Sequence, residues 1–138
     1  MKTLGLDIGS KRIGIAVSDA LGITAQGLLV LERVEGEDIT KRLRDIVLQE
    51  GIKEIVVGLP LNMNGTCGPQ AKAAIAFTDK LKHKFEMPVK LWDERMSTIE
   101  VERVMIEAGV SRSKRKKKID KLAAQVVLQS YLNAQKNI

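Results

Sequence analysis

The chain has 138 residues, 44% of them hydrophobic and only 3% aromatic, and its 23 Lys and Arg against 17 Asp and Glu give a formal net charge of +6. That length suits one domain that buries roughly two thirds of its unfolded surface without staples; no segment approaches the ~20 apolar residues needed to cross a bilayer and no signal-peptide pattern precedes the first strand, so a soluble, cytoplasmic protein with no membrane partner is expected. One cysteine, Cys67, and one histidine, His83 in the solvated run 80–84, exclude an intrachain disulfide, a Cys/His zinc site and a Ser-His-Asp arrangement.

The first stretch reads as a β-hairpin. Leu4, Leu6 and Ile8 alternate with Gly5, Asp7 and Gly9, and Ile13, Ile15 and Val17 alternate with Gly14, Ala16 and Ser18, so each strand has one apolar and one stripped face. Glycines are poor strand residues, and a run of them beside Asp7 implies that a ligand or another backbone comes close there. The same Asp-x-Gly also fits a plain strand end with glycine bulges. Gly27–Leu31 supplies a third strand and completes a meander. From Glu37 the period changes: Ile39, Leu43, Ile46 and Val47 share a helical face, Glu37 and Asp38 favour its start, and Gly51 ends it.

Ile55–Pro60 is a continuous apolar run, as expected of a strand covered on both faces in the middle of a sheet. The turn-rich segment 61–69 follows at that strand's exit, the edge where open α/β sheets bind ligands. Gln70–Phe85 reads as a second helix and Val89–Trp92 as a fifth strand running into Asp93, Glu94 and Arg95. Ser97 and Glu100 form a capping box that opens a third helix, ended by Gly109. A last helix starts near Ile119 and Asp120 and turns Leu122, Ala123, Val126, Val127 and Tyr131 to the core. Between them lies an expected loop, 112–118, in which Arg112, Lys114, Arg115, Lys116, Lys117 and Lys118 stand without an acid, leaving the rest of the chain formally neutral. Such a block reads as a polyanion contact, against the plainer reading of a solvated loop; a nuclear address is a third reading that nothing else in the chain supports.

Three strands in a meander, then helix-strand-helix-strand-helix, give a five-stranded mixed sheet with two final parallel strands, flanked by helices. This is the plan of an α/β, ribonuclease H-like fold. Leu6-Asp7-Ile8-Gly9, Arg12-Ile13-Gly14, Ser18-Asp19, Gly58-Leu59-Pro60-Leu61, Asp93-Glu94-Arg95 with Ser97-Thr98, and Ile119-Asp120 with Ala123-Ala124 together resemble the YqgF/RuvX family, over nearly the whole chain. The resemblance implies that residues 1–138 form a single ribonuclease H-like nuclease domain, akin to RuvC-type Holliday junction resolvases, acting in 5′-end maturation of pre-16S rRNA. Its partner would be structured RNA, on the ribosomal subunit or free, or branched DNA, with the protein a monomer or homodimer.

By that resemblance Asp7, Glu94 and Asp120 are the family's three acidic positions, expected as catalytic metal ligands. Two-metal phosphodiester hydrolysis needs carboxylates converging on hard divalent ions, Mg2+ or Mn2+, held about 3.5–4 Å apart. Taken singly, Glu94 reads as a surface ion pair with Arg95, and Asp120 as a favourable charge at a helix start. Arg12 and Arg95 suit a scissile phosphate, or structural pairing with Asp19 or Asp93. Trp92 reads as core, since so few aromatics make no stacking platform. The family's usual acids in the loop after Pro60 are replaced by Asn64 and Cys67, and the fourth strand ends without an acid, so the middle ligand depends on Glu94 reaching inward. A four-way-junction resolvase and a non-catalytic nucleic-acid-binding factor remain as alternatives. Sugar-kinase and chaperone ATPase folds share the Asp-x-Gly hairpin but need two such domains.

Overall fold

The computed structural model of the chain describes residues 1–94 and 112–136, with side chains from 121 to 135 in the second segment. The strands are β1 (Thr3–Ile8), β2 (Arg12–Ser18), β3 (Ala25–Glu32), β4 (Glu54–Leu59) and β5 (Val89–Asp93), and the helices α1 (Thr40–Glu50), α2 (Pro69–Lys84) and α3 (Arg112–Lys136). They form one mixed sheet in the order β3-β2-β1-β4-β5, with β1–β2 and β2–β3 antiparallel and β1–β4 and β4–β5 parallel. The meander and the two parallel strands are therefore as expected. The third helix predicted from Ser97 to Gly109 lies outside the described residues.

Alternation along the strands decides which helix covers which face. Leu4, Leu6, Ile13, Ile15 and Val17 point to one side and pack with Leu43, Ile46 and Val47 of α1 and with Ala74, Phe77 and Leu81 of α2. On the other side Ala16, Ala25 and Val56 meet Ala124, Val127, Leu128, Tyr131 and Leu132 of α3. Ile55 and Val57 join the first cluster and Val56 the second, so the unbroken apolar run of β4 reflects cover on both faces. Gly51 ends α1 in a left-handed conformation (φ 67°), and the Ile52 amide donates back to the Val47 carbonyl at 3.0 Å.

Two readings are corrected. The basic stretch 112–118 is the opening of α3 rather than a loop, because Lys and Arg are good helix formers. The buried stripe of α3 is also shifted: Leu122 and Val126 are only half-buried, while Ala124, Leu128 and Leu132 lie within it.

α3 sits directly on strand backbone. A Cβ at Gly5 would stand 2.8 Å from the Leu128 Cβ and 3.3 Å from the Ala124 carbonyl. Further out, Gln125 accepts from the Gly27 amide (3.3 Å) and donates to the Ala25 carbonyl (3.3 Å), and Gln129 accepts from the Ala25 amide (2.8 Å) and donates to the Ile23 carbonyl (2.9 Å). The two side-chain amides thus stand in for a neighbouring strand along the exposed edge of β3. At the other end of the helix, the Tyr131 hydroxyl donates to the buried Glu54 carboxylate at 2.9 Å, which also accepts from Thr3 (3.3 Å) and pairs with Lys90 (3.2 Å). Gly5→Ala should lower stability by about 1–3 kcal/mol through overpacking against α3, read as a fall in urea midpoint at unchanged m.

Candidate active site

Parallel pairing sets the site. β1 and β4 run side by side with Leu6 opposite Val57, so Asp7 leaves β1 beside Gly58 at the edge where both strands end. β5 follows β4 in register, Leu59 opposite Asp93, and the chain then turns so that the Glu94 amide donates to the Leu59 carbonyl at 3.2 Å. That turn aims the Glu94 side chain back under the sheet instead of out to solvent, leaving it 7% exposed. It comes to rest over Gly58. A Cβ there would overlap Glu94 Oε2, and would stand 3.1 Å from its Cδ and 3.4 Å from Val127 Cγ2.

The Asp7 and Glu94 side chains meet, and Asp7 is a hydrogen-bond partner of the Glu94 carboxyl. Burial foremost, then the Asp7 charge and that hydrogen bond, then Asp93, push the Glu94 carboxyl up to about 8. Glu94 Oε2 is buried and has no hydrogen-bond partner among the described residues. Two acids forced together with an orphaned oxygen between strand ends are what a hard divalent cation neutralises, and an all-oxygen donor set suits Mg2+ or Mn2+. The described residues therefore fit such an ion, although among them no third acid, histidine or cysteine completes a metal-binding group.

The other expected site residues are spread around this pair. Asp120 falls on α3, three, four and seven positions before Ala123, Ala124 and Val127, all of which face the sheet. Its side chain, and those of Arg112, Lys114, Arg115, Lys116, Lys117 and Lys118, lie outside the described ones, as does all of Arg95. Arg12 opens β2 and pairs across the ladder with Glu32 at 3.9 Å. Asp19 holds its own turn, accepting from the amides of Ile23 (2.7 Å) and Thr24 (3.1 Å), and these bonds keep its carboxyl below the usual range. Trp92, expected in the core, is half-buried at its margin: its ring meets Tyr131 edge-on at 5.4 Å and its Nε1 donates to Ser130 at 3.1 Å. In the loop after β4, Asn64 Oδ1 accepts from the Thr66 amide (3.1 Å) and hydroxyl (2.6 Å), closing the loop on itself, and Cys67 is exposed. Sequence reasoning passed over Gly58 as more than part of a motif. The signal it carried was a glycine inside a run of Val, Val and Leu, where a strand gains nothing from one.

A family model described as "RuvX: Holliday junction resolvase" matches residues 1–134. A relative from Geobacillus kaustophilus, named "Putative pre-16S rRNA nuclease", is 54% identical over 138 residues, covering 99% of this chain and 100% of its own. One of the same name from Streptococcus mutans is 51% identical over 136 residues, covering 96% and 98%. Among solved structures, T. thermophilus RuvC in complex with Holliday junction substrate superposes with a TM-score of 0.59 at 16% identity, over 99% of this chain and 96% of that one. The fowlpox virus Holliday junction resolvase gives 0.59 at 14% identity, over 98% and 99%. At these identities the structural likeness is one of fold, and the fold is ribonuclease H-like.

The raised Glu94 carboxyl has a sign in stability. In chelator, the folded protein keeps that proton up to about pH 8, whereas the unfolded chain releases it near the ordinary glutamate value of 4.5. Between those values the folded state binds more protons, so the contribution of Glu94 to stability falls as pH rises through the window. Melting temperatures measured from pH 5 to 8 should show this fall in the wild type and lose it in Glu94→Gln.

Proposed function

The chain belongs to the RuvX family of nucleases, and from that premise we propose that it is a divalent-metal-dependent phosphodiester hydrolase that matures the 5′ end of pre-16S rRNA in the cytoplasm. The observation that carries the metal-dependent reading is the buried Glu94 carboxyl set against half-buried Asp7, with an oxygen that has no hydrogen-bond partner among the described residues. In this reading Asp7, Glu94 and Asp120 hold Mg2+ or Mn2+, in a site for two ions. When bound, the metal supplies Lewis-acid stabilisation of the phosphoryl oxygens and activates water at neutral pH.

The chain's own residues do the rest. Asp7 is fixed by the sheet and Glu94 by its backbone bond to Leu59, so both carboxylates are held in place before substrate arrives. Glu94 would hold such an ion as the carboxylate, its proton released to solvent. The position of Asp120 is supported by simple lengths. α3 runs opposite to β1, with Tyr131 near the strand starts and Ala124 and Leu128 over Gly5. From Gly5 to Asp7 is about 6.6 Å of strand, which is about four helix residues, and counting back from Ala124 reaches position 120. Arg12 opens β2 and pairs at 3.9 Å with Glu32, whose side chain is 61% exposed, and its planar guanidinium suits the scissile phosphate, the role assigned to it. Arg95, adjacent to Glu94, is assigned the same role. The basic opening of α3, on the element that carries Asp120, contacts the substrate backbone.

Branched DNA is the second reading, favoured by the matched family's description. Cleavage of labelled precursor rRNA and of a four-way junction, side by side, tests both. Mg2+ or Mn2+ should support cleavage and Ca2+ should not, its looser coordination failing to hold the reacting groups in line. Asp7→Asn, Glu94→Gln and Asp120→Asn should each lower turnover by about a thousandfold or more while leaving nucleic-acid binding largely intact. Undiminished cleavage in excess chelator would exclude the mechanism.

The basic residues yield a separate expectation. Six cations in two turns cover every side of a helix, so about half face any one strand of phosphates. Replacing Arg112, Lys114, Arg115, Lys116, Lys117 and Lys118 by Ser should flatten the slope of log K against log salt by roughly 2 to 3, and weaken binding to every sequence alike. Single-turnover rates at saturating substrate should be unchanged, since Asp120 and the basic turns belong to one continuous helix. An unchanged slope would show that the block makes no phosphate contact.

A further inference from the structure

We propose that Gly58 is a positioning residue whose missing side chain admits the Glu94 carboxylate to the site, an inference that rests on the metal-dependent reading above. Gly58 lies inside β4, between Val57 and Leu59 and opposite Trp92 of β5. Its backbone does not require glycine: among the described residues the positive-φ glycines are Gly22, Gly36, Gly51 and Gly65. A glycine in a strand interior weakens the strand and removes a packing side chain, so its presence in an otherwise β-branched and leucine run has a local cause. The space that a Cβ would take is filled by Glu94. Two of the three nearest atoms are Oε2 and Cδ of that carboxyl, the first in outright overlap, whereas the third, Val127 Cγ2, lies at 3.4 Å in ordinary contact.

The main chain cannot move aside to make room. The Glu94 amide is bonded to the Leu59 carbonyl, one residue from Gly58, so glycine and glutamate are tied to the same stretch of sheet edge. A methyl group at position 58 would therefore swing the carboxyl outward, away from Asp7. The arrangement also accounts for where the second acid comes from. β4 ends in Leu59 and Pro60 with no acid of its own, and the opening at Gly58 lets a residue beyond β5 reach across β4 to the end of β1.

The test is a double-mutant cycle on wild type, Gly58→Ala, Glu94→Ala and the double variant, with Mn2+ affinity by calorimetry and melting temperature in chelator. Gly58→Ala should weaken Mn2+ binding by about tenfold or more and lower the melting temperature. In the Glu94→Ala background, where nothing occupies the space, it should do neither. Unchanged Mn2+ affinity, or equal effects in both backgrounds, would overturn the proposal and assign the glycine to packing against Val127. If Gly58→Ala alone does not fold, folding of the double variant supports the proposal and its failure to fold overturns it. A wild type that binds no Mn2+ would sink the metal reading, while the melting cycle would still decide whether Gly58 and Glu94 contend for one space.

Discussion

The close seat of α3 on bare strand backbone is the constraint from which the rest of the architecture follows. Gly5 lies under Ala124 and Leu128, Gly27 lies under the Lys121 stem, and Ala16 and Ala25 complete a surface with almost no side chains. Larger residues would lift the helix and pull both glutamines away from β3, because their hydrogen bonds need the helix within one side chain's reach of the edge. The opposite face is built in the usual way, of large aliphatics against α1 and α2. The stripped face therefore answers a packing demand along most of its length. Only at its end, at Asp7, does the same bareness open onto a carboxylate.

Two buried glutamates on the α3 side of the sheet show how structural and functional acids differ. Glu54, at the start of β4, is 4% exposed and fully answered by Tyr131, Thr3 and Lys90, one of them cationic. Its burial is compensated within the protein, and it fastens the end of α3 to the strand starts. Glu94, at the other end of the parallel strands, is nearly as buried and among the described residues is answered by a second acid, with no partner at Oε2. A fold that satisfies one buried glutamate so completely is capable of satisfying another. The one without a partner among the described residues is where the proposed reading places charge from outside the chain.

Much of this was legible in the sequence, and the failures have physical reasons. The meander, the doubly covered β4, α1 with its glycine stop and α2 followed from period and turn chemistry alone, because those signals are local. The inward aim of Glu94 was not local. Taken singly, Glu94 read as a surface ion pair with Arg95, and only the resemblance required it to reach inward; the register of β5 on β4, with the gap at Gly58, is what turns it inside. The start of α3 was misplaced because six cations in 112–118 were read for charge instead of helix propensity. The buried stripe of α3 was misjudged because the sheet beneath is glycine and alanine, so the faces that touch it are set by backbone approach rather than by the most hydrophobic residues. Leu122 and Val126 are apolar enough for a core and still lie at its margin.

The continuity of α3 changes what the basic stretch can do. A flexible loop that closed on substrate would order Asp120 only after binding, and affinity and turnover would then be one quantity. In a 25-residue helix the cations sit on the same element as position 120, and that element is held at its far end by Tyr131 and along its side by Gln125 and Gln129. Each of those anchors lies on the C-terminal side of Asp120 and none is at the catalytic edge. The fold thus fixes the helix from behind and presents its opening turns forward, past the ends of β1 and β4. In the proposed reading, attraction of a polyanion and provision of a third acid would fall on successive stretches of one helix, whose seat is set by how closely the glycine face lets it lie.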